Sequence, residues 1–143
     1  MRSLDASPRA LRLVVVDDHE TARAALVRRL STDPRIAVVA DTSSLDAAVR
    51  AAAAAAPHAA LIDTRRDDDG GIAIVSALAA LPDDVRPAIV VYTAYFDGTV
   101  WRRSQLAGAC DCLLKQIAVT ELFDRLSATV RRALPDWRHG DLP

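Results

Sequence analysis

A chain of 143 residues, half of them hydrophobic and a quarter charged, suits one domain with a proper core and is too apolar to be disordered. Its net charge of −1 offers no general attraction to nucleic acid or to an anionic membrane surface. No apolar run approaches bilayer length, no apolar targeting core follows Arg2 and Ser3, and Cys110 and Cys112 are too few for a disulfide framework. The chain therefore reads as cytoplasmic, with no membrane partner.

Residues 1–10 read as a disordered lead-in. The β-branched run at residues 11–16 predicts a first strand, closed by Asp17-Asp18. Residues 19–30 follow as a helix, with Ala22, Leu26 and Leu30 at helical spacing and Arg23, Arg28 and Arg29 turned outward. Residues 36–40 give a second strand. After the turn at 41–44, an alanine-rich helix runs to Pro57, which ends it. Residues 59–62 form the third strand, ending in Asp63, and the acidic stretch at 67–71 leads into a helix near 72–81. A fourth strand at 88–92 ends in Thr93, and a helix over 99–106 stops at Gly108. The fifth strand is short, 112–114, with Lys115 at its end. The last helix, 119–133, puts Leu122, Phe123, Leu126 and Val130 on one face, and residues 135–143 read as a tail or a linker stub towards a missing output domain.

Strands alternating with helices five times predict an α/β fold: a doubly wound, five-stranded parallel sheet with both faces covered, three layers in all. Right-handed crossovers leave few strand orders, and 2-1-3-4-5 is the expected one. In such sheets ligands bind beyond the carboxyl ends of the strands, where the order reverses. Asp17, Asp18 and Asp63 would meet there, with Thr93 and Lys115 on the same rim. Three carboxylates that close stay ionised only with a cation among them. Oxygen ligands suit a hard ion such as Mg2+. Of 18 basic residues Lys115 is the sole lysine, a compact, mobile ammonium where the chain elsewhere writes arginine. Metal, hydroxyl and ammonium are the groups that neutralise a phosphoryl group in transfer, and a carboxylate could accept it as an acyl phosphate.

At these residues the chain resembles a known family. Val14-Val15-Val16-Asp17-Asp18-His19, Leu61-Ile62-Asp63, Val90-Val91-Tyr92-Thr93-Ala94 and Cys112-Leu113-Leu114-Lys115 are similar to the signature blocks of two-component response regulator receiver domains. The likeness is greatest to the NarL/FixJ branch, which usually carries a helix-turn-helix output domain, and it spans residues 11–134. It implies a flavodoxin/CheY-like fold with Asp63 as phosphoacceptor from a sensor histidine kinase. By the same resemblance Asp18 and Asp63 bind Mg2+ directly, Asp17 binds through water, and the Arg65 backbone carbonyl completes the set. Thr93 and Lys115 would each hold a phosphoryl oxygen. The domain would not be an enzyme beyond phosphorylating and slowly dephosphorylating itself. Its output would be a changed surface over the fourth helix, fifth strand and fifth helix, one that could form a homodimer, with DNA reached only through an output domain.

Several residues depart from that pattern. The loop after Asp63 reads Arg65-Arg66-Asp67-Asp68-Asp69-Gly70, with Asp67 where the family favours proline. Cys112 stands where the family usually has an aromatic ring that moves with the threonine, so that coupling is either absent or taken over by Tyr92 or Tyr95. Gln116 replaces a common proline. Arg65 and Tyr95 flank the path of attacking water, which implies slow phosphate loss and faster decay in an Arg65→Ala, Tyr95→Ala double mutant. A receiver-like interaction domain that works without phosphate remains the alternative. An aspartyl phosphatase would need a second acid two residues after the first. A nucleotide-binding module would need a glycine-rich phosphate loop, and neither is present.

Overall fold

The computed structural model describes residues 9–64 and 69–143. Five strands form one parallel sheet: β1 (Leu11–Val16), β2 (Ile36–Thr42), β3 (Ala59–Asp63), β4 (Ala88–Thr93) and β5 (Asp111–Leu114). Their order is β2-β1-β3-β4-β5, the expected one among the few that right-handed crossovers allow. Between them lie α1 (Glu20–Leu30), α2 (Leu45–Ala55), α3 (Asp69–Ala79) and α4 (Gly98–Ala107), followed by α5 (Val119–Ala133) and a short α6 (Asp136–His139).

The pleat divides the core in two. Leu13 and Val15 of β1 join Leu61, Val90, Tyr92 and Leu113 beneath α1 and α5, where Leu26, Leu30, Leu122, Leu126 and Val130 meet them. Val14 and Val16 face the other way, with Ile62, Ile89 and Val91, against Ala48, Ala52, Val75 and Leu78 of α2 and α3. Burial on both faces favours apolar side chains, which is why β3, β4 and β1 from Leu13 onward read as runs rather than alternations; Arg12, near the start of β1, is only half-buried. Edge strand β2 is half exposed and alternates.

Helix ends account for the small departures from the sequence reading. α2 begins after Ser44, whose hydroxyl accepts from the Ala47 N–H. It closes on Ala56 in the left-handed region, at φ 46°, ahead of Pro57. α3 starts at Asp69 rather than near residue 72, because the helix runs on through Gly70 and Gly71. α4 is capped by Asp97, which accepts from the N–H groups of Thr99 and Val100. It ends at Gly108, whose φ is 125° and where an added Cβ would come within 2.5 Å of the Ala79 Cβ.

Residues 135–143 fold back over the amino edge of the sheet. Arg138 is buried there, and its guanidinium donates to the carbonyls of Asp83 (2.8 Å), Arg86 (2.9 Å), Pro57 (2.9 Å) and Ala56 (3.5 Å). Leu142 joins the α1/α5 core, while Trp137 lies largely exposed. Of the expected lead-in, residues 1–8 lie outside the described residues.

Candidate functional site

The polar rim comes from the way the strands stop. β1 and β3 pair in register through Val16 and Ile62, so Asp17 and Asp63 emerge side by side. β3 and β4 pair Asp63 with Tyr92, which places Thr93 one step further out. β4 and β5 pair Thr93 with Leu114, and the Lys115 N–H continues the ladder to the Thr93 carbonyl. Each side chain is thus located by a hydrogen-bonded register, not by a free loop.

The structure brings the expected acids together. Ligand atoms of Asp17, Asp18, His19 and Asp63 all lie within 4.8 Å of one another. Lys115 Nζ is 2.7 Å from Asp63 Oδ1 and 3.6 Å from Asp17 Oδ2. The Asp17 and Asp63 side chains are largely covered, whereas that of Asp18 is open to water. Among the described residues three carboxylates meet the Lys115 ammonium here, a crowding of like charges that favours a cation. The donors are mostly carboxylate oxygens, and His19, expected only to start a helix, adds an imidazole at the α1 N-cap position beside them. Asp17 is further fixed by the His19 N–H, which donates to Oδ1 at 2.9 Å.

Asp63 stands between two clefts. On one side a space of about 260 Å³ is lined by Asp17, Asp18, Ser43, Gly71 and Ile74. On the other a space of about 550 Å³ opens between α4 and the ends of β4 and β5, with Thr93, Lys115, Trp101 and Cys112 in its walls. The Thr93 hydroxyl donates to the Tyr95 carbonyl at 3.0 Å.

Tyr92 has a placement the sequence did not reveal. Its ring is buried in the core, 5.8 Å from Lys115 Nζ, and its hydroxyl donates to the Lys115 carbonyl at 3.3 Å. A tyrosine inside an apolar strand reads as packing, and only the strand pairing puts it under the lysine. Tyr95, by contrast, is 79 % exposed. Cys112 is partly buried in the larger cleft, and burial pushes its thiol above the ordinary range. Arg65, expected to offer its carbonyl, lies outside the described residues, as do Arg66, Asp67 and Asp68.

Comparison with known proteins supplies the family. The model of the response regulator receiver domain family matches residues 13–127. No curated protein matches the sequence significantly. Among solved structures, the receiver domain of the putative response regulator NarL from Mycobacterium tuberculosis is similar at 26 % identity. The match covers 87 % of this chain and 98 % of that one, with a TM-score of 0.74. A LuxR-family two-component response regulator from Aurantimonas sp. SI85-9A1 is 24 % identical, with 86 % of each chain covered and a TM-score of 0.73. The response regulator domain of Thermotoga maritima CheB shares the fold at 18 % identity, covering 86 % of this chain and 98 % of that one, with a TM-score of 0.71. Strand register had already put an acid pair, a third acid, a threonine and a lysine on one rim, and the family match spans every one of them: this chain belongs to the response regulator receiver domains.

Proposed function

We propose that the domain accepts a phosphoryl group on Asp63 from the phosphohistidine of a sensor histidine kinase. The observation that carries this reading is the 2.7 Å contact of Lys115 with Asp63 inside a four-residue cluster of potential metal ligands. An Asp63 carboxylate oxygen attacks phosphorus, the P–N bond breaks, and its electron pair returns to the kinase imidazole. Lys115 turns from the carboxylate to a phosphoryl oxygen, and Thr93 gives up the Tyr95 carbonyl to donate to another. Beyond the Asp63 nucleophile, the protein's contribution is position and charge.

Asp17, Asp18 and Asp63 fit Mg2+, with the Arg65 carbonyl as a further donor. When bound, that ion supplies neutralisation of the charge on the transferring group. The modified rim then biases an existing equilibrium of the α4–β5–α5 surface, which controls an output or a homodimer contact. DNA would be reached only through an output domain outside these residues. Among the described residues no helix is long and apolar enough to cross a membrane, in keeping with a cytoplasmic partner of the kinase.

The test is incubation with acetyl phosphate, with and without Mg2+, read by intact mass. The wild-type domain gains one phosphoryl unit only with metal, and Asp63→Asn gains none. Metal-independent gain, or gain by Asp63→Asn, overturns the assignment. Tyr95→Ala, which strips a bulky group from the rim, is expected to shorten the life of the phosphorylated form.

A further inference from the structure

The larger cleft beside Asp63 exceeds what phosphoryl transfer needs. Its deep wall is made by Val91 on β4, Cys112 on β5, and Val100 and Trp101 on α4. Val91 is buried in the core, and both Trp101 and Cys112 pack partly against the same cluster. The Cys112 thiol is kept protonated by burial, so it contributes surface rather than a nucleophile. At about 550 Å³ the space falls within the size range of small-molecule sites.

The polar groups at the mouth are already engaged. Lys115 is held between Asp63 and Asp17, the Thr93 hydroxyl binds the Tyr95 carbonyl, and Asp97 caps α4. In the unphosphorylated domain these partners leave none of them needing a further charged ligand, and Asp97 beside the apolar wall disfavours an organic anion there. A second observation comes from the β4–α4 connection. Tyr95, which lines the cleft, is 79 % exposed, and its neighbour Phe96 is 59 % exposed. Adjacent aromatic rings left in water at the start of α4 are surface that an apolar occupant would cover.

We propose that this cleft binds a neutral aromatic small molecule, its ring system against Trp101, Val91, Val100 and Cys112 and its polar edge towards Thr93. Tyr95 covers the bound ring at the mouth. The consequence for signalling rests on the phosphoacceptor role of Asp63. A ligand touching Thr93 changes the ease of phosphorylation, and phosphorylation changes ligand affinity by the same factor. The site thus gives the receiver a chemical input besides its kinase.

The probe is 2-naphthol, titrated into unphosphorylated, 15N-labelled protein. Two tryptophans give two indole N–H signals, assigned with Trp137→Phe. The Trp101 signal is expected to shift saturably and that of Trp137 to stay. Cys112→Phe, which fills the cleft, is expected to weaken binding about tenfold or more. It should still gain a phosphoryl unit from acetyl phosphate. If that variant does not fold, Val100→Phe fills the space from the helix side. The anionic 2-naphthoate is expected to bind more weakly than 2-naphthol. A Trp101 signal that does not saturate, undiminished binding to the filled variant, or equal binding of the anion overturns the proposal. Binding is read without phosphate, so a failure to phosphorylate would strike the proposed function and leave the cleft standing.

Discussion

The two edges of the sheet use polar residues to opposite ends. At the amino edge, the buried Arg138 spends its donors on four backbone carbonyls from the turns before β3 and β4. His58 beside it is buried, with Nδ1 accepting from the Arg12 N–H. These groups are satisfied by backbone and hold the loops together. At the carboxyl edge, Asp17, Asp18 and Asp63 crowd one another, with the Lys115 ammonium against Asp63 and Asp17 among the described residues. One edge is closed by its hydrogen bonds, while the other gathers carboxylates, which the proposed function assigns to a cation and a phosphoryl group. Burying a charge is costly at either edge, and the identity of its partner separates a structural role from a chemical one.

The contrast breaks most visibly at Arg138. Arg138→Ala removes the guanidinium donors to the Pro57, Asp83 and Arg86 carbonyls, while Ala56 keeps Arg12, and is expected to cost about 2–4 kcal/mol in urea unfolding. Phosphoryl gain per folded molecule should be unchanged. A loss of phosphorylation in the folded fraction would mean that the edges are coupled. The next largest effect is a pH dependence. Burial, helped by the Arg12 and Arg138 charges and opposed by Asp141, pushes His58 from its ordinary 6.5 down to about 4. The unfolded chain therefore binds the extra proton first. The His58 contribution is intact above about pH 6.5 and is lost as pH falls towards about 4. Stability curves measured across that window should slope in the wild type and flatten in His58→Gln, which keeps an acceptor for Arg12. An equal slope in both would place the titration elsewhere.

The carboxyl edge should answer to metal instead. Mg2+ at a hundredfold excess over its dissociation constant stabilises by about 2.7 kcal/mol if it binds only the folded state. The melting temperature of the wild type should therefore rise with Mg2+, while that of Asp17→Asn, Asp18→Asn should not. The smallest effect is local. Ala56 holds a left-handed conformation that costs an L-residue about 1 kcal/mol, so Ala56→Gly is expected to stabilise by up to about that amount. A destabilised variant would show that the Ala56 methyl does more than tolerate its φ.

How much could be read beforehand follows the same division. The central strands were legible because burial on both faces favours apolar residues along them, and the rim was legible because Asp17, Asp63 and Thr93 close such runs and Lys115 closes the short apolar run of β5. The strand order followed from crossover handedness. The amino-edge cap was not legible. Residues 135–143 are short and polar, and the carbonyls that receive Arg138 lie 52 to 82 positions away in sequence. Nothing local announces such a contact. The placement of Tyr92 under Lys115 was hidden in the same way, since it depends on the pairing of β4 with β5. The larger cleft could be anticipated only as a small residue at Cys112. Its walls come from α4, whose packing against β4 no periodicity specifies.

The most direct measurement concerns the bond itself. Borohydride reduces an acyl phosphate and leaves homoserine where the modified aspartate stood, so reduction after acetyl phosphate treatment, followed by peptide mass analysis, locates the phosphoryl group. Homoserine at position 63 alone, dependent on Mg2+, is the expected result. Conversion at Asp17 or Asp18, or phosphate recovered on a histidine, would contradict the account.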